Sequence, residues 1–225
     1  MKNFNNKFNR KFAQYYRKEC AKALANLDIK KIFCFADQIA MTIKKRGYIY
    51  IFGNGGSASI AAHFAHNLNR DVSANLKDSQ KAKAIALNEL VSHFTGIAND
   101  RHYDQVFIAQ LKNLLEPDDL VIGISASGNS ENVIRAIQYA KKRKVNFVTL
   151  TGNKGGKLIH HGQLNITIDT RDQQVTEDII QLICHMIVRL VHYHMENISD
   201  LSFPDIARLR EKDNYLKTRK IGGEK

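Results

Sequence analysis

Two polar, glycine-containing turns hold the residue types best suited to chemistry in this chain. The first turn contains Gly53, Asn54, Gly55, Gly56 and Ser57, and it joins an apolar run to a helical pattern. Glycines let backbone N–H groups approach a ligand closely, and a helix N-terminus adds unpaired donors and a partial positive charge. Such a turn can bind an anion, although a tight strand-to-helix connection has the same composition.

The second turn is the more specific signal because three hydroxyls meet a helix start. Residues 125–130 read SASGNS and follow another apolar run. Hydroxyls and backbone amides at a helix N-terminus bind a dianionic phosphate without lysine. The nucleotide pattern G-x-x-x-x-G-K-[ST] and the dinucleotide pattern G-x-G-x-x-G are both absent. A phosphate monoester therefore suits this turn better than a nucleotide.

The elements around these turns predict an α/β fold. Two helical patterns, at residues 4–24 and from Asp28 to Gly47, open the chain. Short apolar runs at 48–52, 82–87, 120–124, 147–150 and 164–168 then alternate with helical patterns near 57–69, 103–115, 130–143 and 176–195. Such runs are typical of parallel strands buried on both faces, with helices between them. Ligands collect at the carboxyl ends of such strands, where both turns fall.

Composition predicts one globular domain in a reducing compartment. The chain has 225 residues, of which 44% are hydrophobic and 25% charged, which excludes a disordered or collagen-like protein. Cys20, Cys34 and Cys184 are too few and too widely spaced for a disulfide framework or a thiolate zinc site, so we expect a cytoplasmic location. Polar residues interrupt the longest apolar stretch, 179–191, and no signal-peptide core precedes it. We therefore expect no membrane span.

The net charge of +12 is concentrated at the two ends of the chain. Residues 1–19 carry six basic and one acidic side chain, and residues 206–225 carry seven basic and three acidic ones. Solvated ends of this kind do not by themselves indicate nucleic-acid binding, and no helix-turn-helix pattern accompanies them. We predict a single domain over 1–200, with a helical segment at 1–46, and a basic tail at 201–225 that includes a short helix near 204–211.

Together the motifs resemble the sugar isomerase (SIS) domain family of phosphosugar-binding proteins, and within it the phosphoheptose isomerases. The matching segments are GNGGSA at 53–58, HFA at 63–65, AND at 98–100, SASGNS at 125–130, LTG at 150–152 and GGK at 155–157. The resemblance covers about residues 30–196. It implies a three-layer αβα fold with a flavodoxin-like, five-stranded parallel sheet. It also implies conversion of sedoheptulose 7-phosphate to D-glycero-D-manno-heptose 7-phosphate for lipopolysaccharide or capsule, a homotetramer and, in many members, a zinc ion.

The resemblance also assigns site residues. It implies that the substrate turn contains Asn54, Gly55 and Gly56, that Asn67, Asn99, Asp100 and Glu177 lie near the sugar, and that the phosphate is bound by Ser125, Ala126, Ser127 and Ser130.

Two positions depart from the family pattern. The family has a glutamate four residues after the histidine at position 63, serving as base, whereas this chain has Asn67, and an amide cannot remove a proton from carbon. On the final helix the chain has Glu177 where the family usually has glutamine, and it keeps His185. Positions 177, 181 and 185 drift by only about 80° and share a helix face. We therefore expect Glu177 and His185 to be catalytic, and His63, Glu177 and His185 to bind zinc if they converge.

A non-catalytic alternative stays open from the sequence. A sister group that resembles the chain at residues 98–101 has lost the same glutamate and is a tetrameric adaptor of the bacterial replication initiator protein. That group also lacks the final-helix histidine, whereas His185 is present here. Phe4, Phe8, Phe12 and Tyr15 recur at helical spacing and predict subunit packing, with sites shared between subunits.

Overall fold

The structure is a computed structural model that describes residues 6–73 and 76–196. The basic tail at 201–225, the short helix expected near 204–211 and Phe4 lie outside the described residues.

Two helices precede the sheet, as the sequence predicts. Helix α1 spans Lys7–Ala25 and helix α2 spans Ile29–Lys44. The predicted N-cap of α2 is confirmed, because the Asp28 carboxylate accepts hydrogen bonds from the backbone N–H groups of residues 30 and 31. Helix α2 buries a continuous apolar face, whereas α1 buries only Ala23. Helix α1 therefore lies on the outside of the core.

The five predicted strands form one parallel sheet. Strands β1 (Ile49–Phe52), β2 (Ala84–Ala86), β3 (Leu120–Ser125), β4 (Asn146–Thr151) and β5 (Leu164–Thr167) lie in the order β2-β1-β3-β4-β5. This order is the flavodoxin-like one, and it confirms the fold expectation. The chain reverses direction across the sheet between β1 and β3, which are neighbours. Ligands of doubly wound sheets bind in the crevice at such a reversal, and both polar turns begin there.

Helices cover both faces of the sheet. Helices α3 (Gly56–Asn67) and α7 (Gln173–Met195) pack with α2 on one face. Helices α5 (Ile108–Leu114) and α6 (Glu131–Lys142) pack on the other face. Each face has its own apolar core, which gives the three-layer αβα architecture. None of the helices within the described ranges is long and apolar enough to span a membrane.

Local structure differs from the sequence expectation in one region. The pattern at 103–115 predicts one helix, but the structure has a 3₁₀ turn at Tyr103–Gln105 followed by the short α5. It also has helix α4 (Val91–Asp100), which the pattern does not indicate. None of the residues of α4 is fully buried, and its apolar face consists only of Phe94, Ile97 and Ala98, which pack partly buried against the second core. So short an apolar face is a weak helical signal.

Candidate active site

The first turn is held open by side chains from three other segments. Gly55 adopts a φ of +54°, a left-handed conformation that favours glycine. The backbone N–H and carbonyl of Gly53 both bond to the Asn88 amide, at 3.3 and 2.7 Å. The Asn54 side chain bonds to Asn132 at the start of α6 and to the Tyr103 hydroxyl. The turn is therefore positioned before any ligand arrives.

The three predicted serines of the second turn meet. The Ser125 hydroxyl oxygen lies 3.0 Å from that of Ser130 and 3.5 Å from that of Ser127. The Ser127 hydroxyl also accepts a hydrogen bond from the backbone N–H of Asn129. Gly128 takes a φ of +67° as the chain enters α6. The hydroxyls and the start of α6 thus surround one point at the end of β3, as phosphate binding requires.

A third glycine-rich segment, 152–157, packs against this serine turn. The Gly152 N–H donates to the Ala126 carbonyl at 3.0 Å, and a Cβ at Gly128 would collide with the Gly155 backbone. Gly152 also lies against the Thr176 side chain at the beginning of α7. The first turn of α7 is therefore placed directly beside the serine turn.

The two helices that begin at the polar turns have no side-chain caps. Neither Gly55, which precedes α3, nor Ser130, which precedes α6, makes a side-chain capping bond. At α7, by contrast, the Asp172 carboxylate accepts from the N–H groups of Gln174 and Val175. The N–H groups of the first two residues of α3 and of α6, and the positive dipole ends of both helices, are left for an anionic ligand, whereas the third N–H of α6, that of Val133, donates to Asn132 Oδ1.

Glu177 lies at the first turn. Its half-buried carboxylate occupies the space beside the Gly56 Cα, where a Cβ would lie 2.6 Å from Glu177 Cδ. The carboxylate accepts a hydrogen bond from Gln173 Nε2 at 3.3 Å. Only glycine at position 56 lets a carboxylate approach the N-terminus of α3 so closely. The structure thus places a carboxylate, which can act as a general base, at the first turn.

The imidazoles of His63 and His185 contact each other at a different place from Glu177. His63 Nε2 and His185 Nε2 lie 2.9 Å apart, and their rings are in edge-to-face contact. The buried Asn67 amide lies 3.0 Å from His63 Nε2, and Gln181 Nε2 lies 3.1 Å from His185 Nε2. Asn67 therefore contacts His63 rather than replacing the missing base.

Glu177 and the two imidazoles occupy separate places. Gly56 contacts Glu177 and His63 contacts His185, so α3 and α7 run side by side in the same direction. Seven residues of α3 and eight of α7 separate these contacts, a distance of about 10–12 Å along the helices. Within residues 6–73 and 76–196, no group of three His, Cys, Asp or Glu side chains is arranged to hold a metal ion. The predicted zinc ligands His63, Glu177 and His185 therefore do not form a three-ligand set in this chain.

Asn99 and Asp100 are the last two residues of helix α4. Both are exposed at the end of α4, where the Asn99 amide donates to the Asp100 carboxylate at 2.9 Å. They precede Tyr103, whose hydroxyl reaches the first turn. Sequence analysis missed the roles of Tyr103, Asn88 and Asn132, because nothing in their spacing indicates that they meet Gly53 and Asn54.

Comparisons with known proteins show the family to which this chain belongs. The SIS domain family matches residues 12–152. The chain is 37% identical over 179 residues to a probable phosphoheptose isomerase of Thermoplasma acidophilum, covering 80% of this chain and 97% of the relative. It is 39% identical over 156 residues to the phosphoheptose isomerase of Thermodesulfovibrio yellowstonii, covering 69% and 76%.

A solved structure gives the same result. Phosphoheptose isomerase GmhA from Neisseria gonorrhoeae superimposes with a TM-score of 0.73 at 26% identity, over 82% of this chain and 98% of that one. These relatives are isomerases by name, so the comparisons do not support the adaptor hypothesis. The chain belongs to the SIS domain family and, within it, to the phosphoheptose isomerases.

Proposed function

We propose that this protein interconverts sedoheptulose 7-phosphate and D-glycero-D-manno-heptose 7-phosphate, with Glu177 as the group that moves the carbon-bound proton. One observation carries the proposal: the Glu177 carboxylate lies against Gly56, at the uncapped start of α3. The names of the relatives supply the substrate class.

The phosphate is proposed to bind at the serine turn. The clustered hydroxyls of Ser125, Ser127 and Ser130 can donate to phosphate oxygens, and the uncapped end of α6 adds backbone donors. A helix N-terminus favours a dianion electrostatically. This arrangement holds one end of an open-chain sugar and leaves the other end free to reach the first turn.

The isomerisation requires one proton to move between two carbons. Glu177 removes a proton from C1 of the ketose, the C1–H electrons form the C1=C2 bond, the carbonyl electrons move to O2, and an enediolate forms. The carboxylate then returns the proton to C2, while the hydroxyl proton moves from O1 to O2, so that C1 becomes the aldehyde carbon. A carboxylate within reach of the substrate carbon can accept this proton, whereas the Asn67 amide cannot.

His185 and zinc are predictions that this proposal does not use. His185 is paired with His63 about two helical turns from Glu177. No step of the proposed reaction depends on a metal ion, because the described donors in one chain do not form a three-ligand set.

A homo-oligomer, with a tetramer as the expected form, is part of the proposal. Phe8, Phe12 and Tyr15 on α1 are 76%, 53% and 50% exposed in the single chain. A row of exposed aromatic side chains supports packing against another subunit. Light scattering of the purified protein at micromolar concentration tests this point, and a monomer would contradict it. A cytoplasmic location and a role in making surface heptose also belong to the proposal.

Proton NMR in deuterated buffer tests the reaction itself. With sedoheptulose 7-phosphate as substrate, the proposal predicts a new aldehyde-derived anomeric signal and deuterium at the carbon positions that exchange. Reactions with added zinc and with a chelator run in parallel. A protein that binds the ketose but produces neither signal, with or without zinc, would contradict the proposal.

A further inference from the structure

The Asn54 side chain belongs to a closed hydrogen-bond network. Asn54 and Asn132 form two reciprocal amide bonds, each with an N···O distance of 2.9 Å. Asn132 is buried, and its Oδ1 also accepts from the backbone N–H of Val133 at 2.9 Å. The Tyr103 hydroxyl lies 3.0 Å from Asn54 Oδ1. The network thus connects the first turn, the start of α6 and the 3₁₀ turn at Tyr103–Gln105.

The backbone amide of Val133 fixes the direction of every bond in this network. A backbone N–H can only donate, so Asn132 Oδ1 faces it, and Asn132 Nδ2 faces Asn54 Oδ1. The Tyr103 hydroxyl then donates to the same oxygen. A carbonyl oxygen accepts two hydrogen bonds, so both acceptor positions of Asn54 are filled.

One donor of Asn54 is left over. Its Nδ2 carries two hydrogens, and one bonds to Asn132 Oδ1. Within the described ranges, no acceptor of the second hydrogen is in hydrogen-bond distance. Asn54 can therefore offer only an N–H group to a ligand in the turn.

We infer that Tyr103 is a positioning residue, which with Asn132 holds the Asn54 amide as a hydrogen-bond donor to a carbonyl or hydroxyl oxygen of the sugar phosphate. The inference rests on the proposed function for the identity of the substrate. Without the Tyr103 hydroxyl, the Asn54 oxygen regains a free acceptor position, and the amide is held only by its two bonds to Asn132. The substrate oxygen then meets a less fixed donor, while the serine turn is unchanged.

The Tyr103 ring and its segment have other supports. The Asp104 carboxylate pairs with Arg135 on α6 at 2.9 Å, and the Tyr103 ring packs edge-to-face on Phe94. Removal of the hydroxyl alone therefore leaves the segment in place. This makes Tyr103→Phe a test of the hydrogen bond rather than of the fold.

The experiment measures steady-state kinetics of Tyr103→Phe with sedoheptulose 7-phosphate, and the affinity for inorganic phosphate by calorimetry. We expect kcat/KM to fall about fivefold, the effect of one neutral hydrogen bond, with the phosphate affinity and the melting temperature unchanged. Tyr139→Phe is the matched control, because the Tyr139 hydroxyl, on α6, accepts its hydrogen bond from Arg143, the residue that caps the C-terminus of the same helix. Its kcat/KM is expected to equal that of the wild type.

A second measurement separates this inference from the proposed function. Calorimetry compares the Kd of Glu177→Gln for sedoheptulose 7-phosphate with that of the double variant that also carries Tyr103→Phe. This binding measurement does not depend on turnover. A severalfold weaker Kd with Tyr103→Phe supports the inference even if the wild type proves inactive. An unchanged Kd together with an unchanged kcat/KM overturns it. The inference is also overturned if Tyr103→Phe lowers both the phosphate affinity and the melting temperature, because such a result indicates a structural role only.

Discussion

Gly56→Ala separates the position of Glu177 from the stability of the fold. Gly56 has no positive φ and is the first residue of α3, so alanine fits its backbone. An added Cβ would, however, lie 2.6 Å from Glu177 Cδ, whereas ordinary contact begins at 3.4 Å. The carboxylate is the far end of a flexible side chain, and it can move by about 1 Å at little expense to folding.

The expected effect on catalysis is much larger than the effect on stability. A displacement of about 1 Å between reacting groups lowers a rate about 100-fold, which corresponds to about 2.7 kcal/mol in the activation free energy. Alanine in a helix is favoured over glycine by up to about 1 kcal/mol, so the free energy of unfolding should stay constant or rise slightly.

The assay is kcat for sedoheptulose 7-phosphate, with urea unfolding of the same samples. Gly96→Ala is the matched control, since a Cβ at Gly96 on α4 meets nothing within 4 Å. It should keep its activity, and its free energy of unfolding should stay constant or rise by up to about 1 kcal/mol, for the same reason as at Gly56. A Gly56→Ala variant with wild-type kcat would refute the assignment of Glu177, and a strongly destabilised variant would refute the argument that only the carboxylate must move.

Three further predictions concern the phosphate turn and the thiols. Ser130→Ala removes a hydroxyl 3.0 Å from that of Ser125, and we expect the Kd for inorganic phosphate, measured by calorimetry, to rise about 5- to 10-fold. An unchanged Kd would contradict the assignment of the serine turn as the phosphate site. The exposed Cys34 should react with a disulfide reagent at pH 8, whereas the buried Cys184 should react only after unfolding; rapid reaction of Cys184 in the native protein would contradict its burial. Burial raises the pKa of the Cys184 thiol above its ordinary 9.0. The thiol therefore loses its proton at a lower pH in the unfolded chain than in the folded one, and the free energy of unfolding falls as pH rises above about 9. The slope for this one group approaches about 1.4 kcal/mol per pH unit, and Cys184→Ala should remove it in urea unfolding at pH 8–10.

The strands and the two polar turns could be predicted because their signals are local. Buried parallel strands appear as apolar runs, and glycine and serine after them indicate anion-binding turns. The hydroxyls of Ser125, Ser127 and Ser130 do meet. Glu177 does not meet His63 and His185 within one chain, because a shared helix face does not remove the eight-residue separation along α7.

The amide network could not be predicted, because it depends on which segments the fold brings together. Asn54 and Asn132 are 78 residues apart, and Asn54 and Tyr103 are 49 apart. Asparagine at a helix start is equally typical of a simple cap. Helix α4 was missed for a related reason: its stability comes from contacts that leave every one of its residues at least partly exposed.

The most direct test of the central claim is the rate of deuterium incorporation into sedoheptulose 7-phosphate by wild type and by Glu177→Gln. If Glu177 moves the carbon-bound proton, the variant should bind the ketose but exchange it about 1000-fold more slowly, within the range for loss of a general base. Glu116→Gln is the matched control, because Glu116 is exposed at the opposite, amino end of β3, and it should exchange at the wild-type rate. Exchange by Glu177→Gln within twofold of wild type would contradict the account and assign the proton transfer to another group.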